Sequence, residues 1–223
     1  MMKKLYVLIV FVTLSVSSFS QSSDTGNWFI YFGNQAINKK WSWWNEVQYR
    51  NYNVAGDLEQ LLIRTGLAYN LTENNNQVLL GYGFIRSENY ISPDDKVSTN
   101  ENRLYQQFIT RQQFGRFNLQ HRYRIEERFL PNNFRVRFRY FLGLNVPLNK
   151  KTMTKNAWYL SAYNEVFLNA PKPVFDRNRV YGALGYVLNK NWRTEAGFMR
   201  QIREQNSRNQ FQLVVFNSLP LFK

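Results

Sequence analysis

The chain has 223 residues with no cysteine, one histidine, and 29 lysines and arginines against 15 aspartates and glutamates, a formal net charge of +14. The missing cysteines exclude a disulfide framework and thiolate chemistry, and no His/Cys/Asp cluster has metal-ligand spacing. Beyond the N-terminus no apolar run approaches the roughly 20 residues of a transmembrane helix, so a span of a bilayer would have to be made by strands closed into a barrel.

In chain order, the first twenty residues read as an export signal. Lys3 and Lys4 precede an apolar stretch from Leu5 to Leu14, and Ser18-Phe19-Ser20 places small residues where a signal peptidase cuts, making Gln21 the expected new N-terminus. Cleavage would leave 203 residues at a formal charge of +12, one domain over 21–223. Strands are then expected at Trp28–Ile37, Trp41–Tyr52, Glu59–Asn70, Gln77–Tyr90, Glu101–Gln113, Phe117–Phe129, Phe134–Val146, Trp158–Asn169, Arg177–Leu188, Trp192–Glu204 and Asn209–Asn217. Asn38-Lys39-Lys40, Phe114-Gly115-Arg116 and Asn189-Lys190-Asn191 carry the chemistry of tight turns. The connections 91–99 and 170–176 are longer and contain proline. Eleven strands conflict with the even number usual in bacterial barrels. If the tight turns are periplasmic, Trp41–Tyr52 is the first crossing and Trp28–Ile37 is surplus. It is then either a lumen or rim segment, leaving ten strands, or part of a hairpin that brings the count to twelve.

The period decides the class. From 117 to 129, Phe117, Leu119, His121, Tyr123, Ile125, Glu127 and Phe129 alternate with Asn118, Gln120, Arg122, Arg124, Glu126 and Arg128. From 134 to 146, Phe134, Val136, Phe138, Tyr140, Leu142, Leu144 and Val146 alternate with Arg135, Arg137, Arg139, Phe141, Gly143 and Asn145. A helix would scatter these arginines; a strand puts them on one side. A hairpin with Leu130-Pro131-Asn132-Asn133 as its loop sets Phe129 opposite Phe134, Ile125 opposite Phe138, Tyr123 opposite Tyr140, Glu126 opposite Arg137 and Arg124 opposite Arg139. Strands of thirteen residues exceed the soluble average of about five or six and suffice to cross a bilayer at a tilt. Aromatic residues near strand ends (Trp41, Trp43, Tyr52, Phe129, Phe134, Trp158, Trp192) match interfacial girdles. The expected fold is all-β: one antiparallel transmembrane barrel of ten to twelve strands, with an apolar exterior and a charged, arginine-rich lumen.

Several segments resemble a family of bacterial outer-membrane barrels known as domain of unknown function 2490. They are Glu101-Asn102-Arg103-Leu104-Tyr105-Gln106-Gln107, His121-Arg122-Tyr123-Arg124-Ile125-Glu126-Glu127-Arg128-Phe129, Arg137-Phe138-Arg139-Tyr140, Ala162-Tyr163-Asn164-Glu165-Val166-Phe167 and Asp176-Arg177-Asn178-Arg179-Val180-Tyr181. The resemblance implies a barrel in the bacterial outer membrane and carries no assigned activity or functional residue.

The inward register collects Glu46, Arg64, Arg103, Arg122, Arg124, Glu126, Arg128, Arg135, Arg137, Arg139, Glu165, Arg177, Arg179, Arg193 and Glu195. A barrel of about eight strands is filled by side chains and open channels need about sixteen, so ten to twelve lies near the filled end. One reading is a lumen plugged by ion pairs in a structural or ligand-binding barrel. A second is a small anion-preferring pore, or a site for a phosphate- or carboxylate-bearing ligand, because arginines outnumber glutamates in the register. A third, a lipid hydrolase, needs a base, and the one histidine, His121, lies on the apolar register opposite Leu142. Glu126 with Glu165 is a weak acid–base pair, since paired arginines hold both carboxyls ionised. Glu127, on the apolar face, is expected at the rim. The chain is expected not to be an enzyme and to need no cofactor. Nucleic acid is not an expected partner, because arginines and aromatics sit on opposite faces. Outer-membrane lipid and lipopolysaccharide are, with Lys96 and Lys172 as rim basics for their phosphates.

Overall fold

The computed structural model describes residues 25–73 and 75–222, so the export segment expected over residues 1–20 lies outside the described residues. All regular structure within them is strand: β1 Thr25–Ala36, β2 Trp41–Asn51, β3 Leu58–Asn70, β4 Asn76–Tyr90, β5 Lys96–Phe114, β6 Phe117–Leu130, β7 Asn133–Pro147, β8 Trp158–Ala170, β9 Phe175–Val187, β10 Trp192–Ile202 and β11 Ser207–Asn217. Sequence neighbours pair antiparallel around one closed barrel, and the seam between β1 and β11 is parallel, from Thr25 opposite Asn209 to Gly33 opposite Asn217.

Eleven strands therefore form the wall, within the expected range but neither of the two even counts. The segment expected as a lumen piece or half of a misread hairpin is a wall strand. An even count follows only if the first and last strands run in opposite directions; here they run the same way. Parallel pairing still closes the edge over Thr25 to Gly33 and Asn209 to Asn217, which is the constraint that closure must meet. The alternation rule had little grip on β1 because both of its faces are apolar: Trp28 and Ile30 are buried inside while Phe29 is exposed outside.

The hairpin of β6 and β7 has the register read from its side chains, with Phe129 opposite Phe134, Ile125 opposite Phe138, Glu126 opposite Arg137 and Arg124 opposite Arg139. Its loop is tighter than expected, because Leu130 and Asn133 still pair and the chain reverses at Pro131 and Asn132. Asn132 takes φ 61°, a left-handed conformation that asparagine tolerates. The connection expected over 91–99 shrinks to 91–95, because Lys96 to Asn100 pair with Tyr90 to Arg86.

Charge lies inside and apolar surface outside. Glu46, Arg64, Arg103, Arg124, Glu126, Arg137, Arg139, Glu165 and Arg179 are buried, whereas Val47, Ile63, Leu80, Leu104, Ile125, Phe138, Leu160, Val180 and Leu213 are exposed around the wall. Aromatic pairs sit near the strand ends, Trp41 with Tyr69 and Trp158 with Tyr186 at ring separations of 4.8 Å. Tyr52 is an exception to the expected girdle. Its hydroxyl donates to the Glu88 carbonyl at 3.0 Å and its ring faces the Arg208 guanidinium. Two inward tyrosines need glycine beside them: a Cβ at Gly81 would meet the Tyr105 ring, and one at Gly185 the Tyr159 ring.

The two rims differ. Connections 37–40, 71–75, 115–116, 148–157 and 188–191 form one, called the mouth below. Connections 52–57, 91–95, 131–132, 171–174 and 203–206 form the other, the base. The base is tied across by Lys96 to Asp57 and by Arg208, which reaches Glu59 at 3.0 Å and the Tyr52 carbonyl at 2.6 Å. The parallel seam is testable in a chain that has no native cysteine. Phe29→Cys with Leu213→Cys, directly paired across β1 and β11, should cross-link in most molecules on mild oxidation. Phe29→Cys with Leu184→Cys on β9 should not, since three strand spacings are roughly 14 Å. Electrophoresis without reductant reads the result.

Candidate functional site

Glu126 is the centre of the lumen network. Its side chain is fully buried, and it accepts from Arg137 at 2.5 and 3.0 Å and from Arg139 at 2.5 Å, with Arg124 at 3.5 Å and Arg103 at 3.9 Å. The alternation of β5, β6 and β7 aims all four guanidiniums at one point, because side chains two apart share a face. Arg139 continues to Glu165 at 2.6 and 3.1 Å, and Arg122 joins Glu165 at 2.7 Å. Towards the base, Glu101 holds Arg103 and Arg128, each through two bonds of 2.6 to 3.0 Å. Arg137 reaches Asp176 at 3.0 Å, and Arg177 binds the same carboxylate through two bonds of 3.1 Å. Near the wall of β2 and β3, Arg64 pairs with Glu46 at 2.8 Å. Phe167 fills the space between these groups, with the guanidiniums of Arg137, Arg139 and Arg179 within 5.3 Å of its ring centre.

The structure thus brings together most of the residues expected inside. Arg135 is a correction: it is exposed at the β6–β7 tip, outside the network, because the strand rises past the lumen there. Arg193 lies over the Phe216 ring at 4.0 Å, and Glu195 accepts from Tyr159 at 2.9 Å and Tyr181 at 3.3 Å. Among the charged residues missing from the inward list are Arg50, Glu101, Arg111 and Asp176. Arg50, Glu101 and Arg111 lie within the expected strands Trp41–Tyr52 and Glu101–Gln113 and share the parity of Glu46 and Arg103, so the same alternation carried through to those positions finds them. Asp176 could not be found that way. The register shifts opposite Phe167, pairing Phe167 with Arg177 but Leu168 with Phe175, so Asp176 is the extra residue of a bulge and turns toward the same lumen as its neighbour.

The network closes the middle and the base half of the barrel. The mouth half holds a cavity of about 660 Å³. Its floor runs through Trp28, Arg50, Arg64, Gln107, Arg124, Arg139, Glu165 and Arg179, and none of Glu101, Arg103, Glu126, Arg137 or Phe167 lines it. The space exists because short side chains face inward there, including Gly143, Asn145 and Ser161. Its described lining carries eight arginines and Lys190 against Glu46, Glu165 and Glu195. Four of the arginines, Arg50, Arg111, Arg179 and Arg193, lack an ion pair among the described residues, and Arg50 and Arg179 are the two at the floor. Arg50 donates to Gln48 at 2.5 and 2.9 Å and to Gln60 at 2.7 Å, and Arg179 donates to Gln201 at 2.8 and 2.9 Å. Glutamine accepts hydrogen bonds from both without cancelling their charge.

Charge also accumulates around the opening. The described mouth connections carry Lys39, Lys40, Arg116, Lys150, Lys151, Lys155 and Lys190, all exposed, against Glu73. The base connections carry Lys172 and Arg203 against Asp57, Asp94, Asp95 and Glu204. The rim basics expected to meet lipid phosphates were Lys96 and Lys172; Lys96 is engaged by Asp57 and the Leu58 carbonyl, and Lys172 shares its rim with those acids. The uncompensated rim is the opposite one. His121 lies on the outer face, its Nδ1 2.9 Å from the Tyr140 hydroxyl oxygen. Glu127, also outward, meets the Gln106 amide at 3.2 Å. No group of three His, Cys, Asp or Glu residues among those described is arranged to hold a metal ion.

Removing Glu126 would leave several buried guanidiniums facing one another. Glu126→Ala should cost about 3–5 kcal/mol in urea unfolding of the purified protein, the range for breaking a buried ion pair. Arg135→Ala on the exposed tip should stay within about 0.5 kcal/mol.

No curated protein and no solved structure matched the chain. The sequence profile described as "Protein of unknown function (DUF2490)" matches residues 25–212, which takes in all of β1 to β10 and half of β11. On that match, the chain belongs to the DUF2490 family.

Proposed function

We propose that this chain is a bacterial outer-membrane barrel whose lumen does not conduct, and which holds a small anionic ligand in a vestibule open at one rim. The observation that carries the reading is a lumen sealed at its middle by the Glu126 and Glu165 network, with a cationic cavity on one side of the seal. A steady anion path would need a continuous opening from mouth to base, and the cavity stops at the network.

The exterior supports the membrane setting. Moving an exposed leucine, isoleucine or phenylalanine out of water contributes roughly 1.5–3 kcal/mol each. An apolar belt of such residues on every strand is far beyond the patches of a few hundred Å² that water-soluble monomers present. Lipid tails are the solvent that removes this cost, and β-strands closed into a barrel leave no backbone group unsatisfied in them. The lysines around the mouth favour anions twice over: they steer a small anionic ligand toward the cavity, and they offer partners to the phosphates of outer-membrane lipid or lipopolysaccharide. Among the described residues lining the cavity no nucleophile stands with a base and an orienting group, so the lipid-hydrolase reading has no observation behind it.

Two measurements test this. In fractionated Gram-negative cells the protein should enter the outer-membrane fraction and require detergent for extraction; recovery as a compact monomer in aqueous extract would end the proposal. In planar bilayers the purified protein should show no steady conductance. A stable anion-selective level that disappears in Arg124→Ala would establish the pore reading in its place.

A further inference from the structure

The vestibule wall is divided lengthwise into two chemistries, and that division says more about the ligand than charge alone. Along β1, Trp28, Ile30 and Phe32 point inward one above another, and Val214 with Phe216 on β11 and Tyr181 on β9 pack beside them. The Phe32 and Phe216 rings stack at 5.4 Å. Across the cavity, β3 to β6 present Arg64, Gln107, Arg122 and Arg124. An ion-pair plug alone would not call for an aromatic strip on the inner wall; Trp28, Ile30 and Val214 are buried within it, while Phe32 and Phe216 stay half-buried on the cavity, with the Arg193 guanidinium over Phe216.

The polar groups converge at the foot of that strip. The Arg50 guanidinium lies 3.7 Å from the Trp28 ring centre and that of Arg179 lies 5.0 Å from it. Arg179 bonds Gln201 through Nε and Nη2 and leaves Nη1 without an acceptor among the described residues. The indole Nε1 of Trp28, a residue only 2% exposed, also lacks an acceptor among them. Two uncompensated cations and a buried donor therefore meet where the aromatic strip ends. A small inorganic anion would use the cations and leave the strip uncovered. A neutral apolar molecule would cover the strip and leave the cations unmatched.

We propose that the vestibule takes an amphipathic anion: a flat apolar body lying along Ile30, Phe32 and Phe216, and a carboxylate, sulfonate or phosphate-ester head seated between Arg50 and Arg179 beside Trp28. This rests on the vestibule being an anion site, as proposed above. A cavity of about 660 Å³ lies within the range of small-molecule sites.

The full-length protein in nanodiscs of zwitterionic lipid, titrated calorimetrically with naphthoate, naphthalenemethanol, acetate and inorganic phosphate against empty nanodiscs, tests it. Naphthoate should bind at least about tenfold more tightly than the other three probes, as expected when both the charged bonds and the apolar contact are made. R179Q should weaken naphthoate by about tenfold and leave naphthalenemethanol unchanged, and R50Q provides the same readout should the first variant fail to fold. F32A should weaken naphthoate and naphthalenemethanol together and leave phosphate unchanged. If acetate or phosphate binds as tightly as naphthoate, the amphipathic class is wrong and the anion site stands. If no anion binds at all, both readings fall.

Discussion

A guanidinium inside a barrel has lost most of its water, and it stays charged there only if a carboxylate or a set of hydrogen-bond acceptors replaces that water. Much of the lumen follows from this constraint. Arginines projected inward by β5, β6 and β7 repel one another unless a negative group stands among them, and Glu126 is placed where four of them converge. Arg139 passes the same compensation on to Glu165, which draws in Arg122 from the far side. The result is a cross-braced middle. Strands two positions apart, β6 with β8 and β7 with β9, are tied through the interior, as adjacent ones are through their ladders.

The seal and the vestibule are two outcomes of one inward register. Where the inward positions are long, as with Arg103, Arg137 and Phe167, the cross-section fills. Where they are short, as with Gly143, Asn145 and Ser161, it stays open. The same wall thus provides a stop at mid-height and a chamber above it. Because glutamines rather than glutamates meet Arg50 and Arg179, the floor of that chamber keeps a positive charge that the centre of the plug does not. The seven basic residues around the mouth extend the same sign outward to the opening.

Outside, the constraint runs the other way. Residues such as Val47, Leu104, Ile125 and Leu160 have no protein partner layer over them, since the interior is occupied by charge and the barrel is a single layer. A soluble sandwich would bury this face against a second sheet; here there is none. Aromatic rings gather toward both rims, where the apolar belt ends, with Trp41, Trp158 and their tyrosine neighbours on the mouth side and Phe129 with Phe134 on the base side.

How much of this was legible varied with the range of the interaction. Strand positions, the two faces of β6 and β7, and the pairing of Glu126 with Arg137 are local consequences of a two-residue period and a tight turn at Pro131 and Asn132, so residue order was enough to determine them. So was the sign of the lumen, because it follows from which face carries the arginines. The parallel seam was not determined this way: β1 and β11 lie at opposite ends of the chain, and β1 is apolar on both faces, so no local pattern states which strand it joins. Nor was the inward turn of Asp176, which depends on a bulge in the β8–β9 ladder. The blind vestibule likewise appeared only in three dimensions. Its floor brings Trp28 and Arg50 from the first two strands against Arg179 from the ninth, and only closure of the barrel puts those side chains within reach of one another.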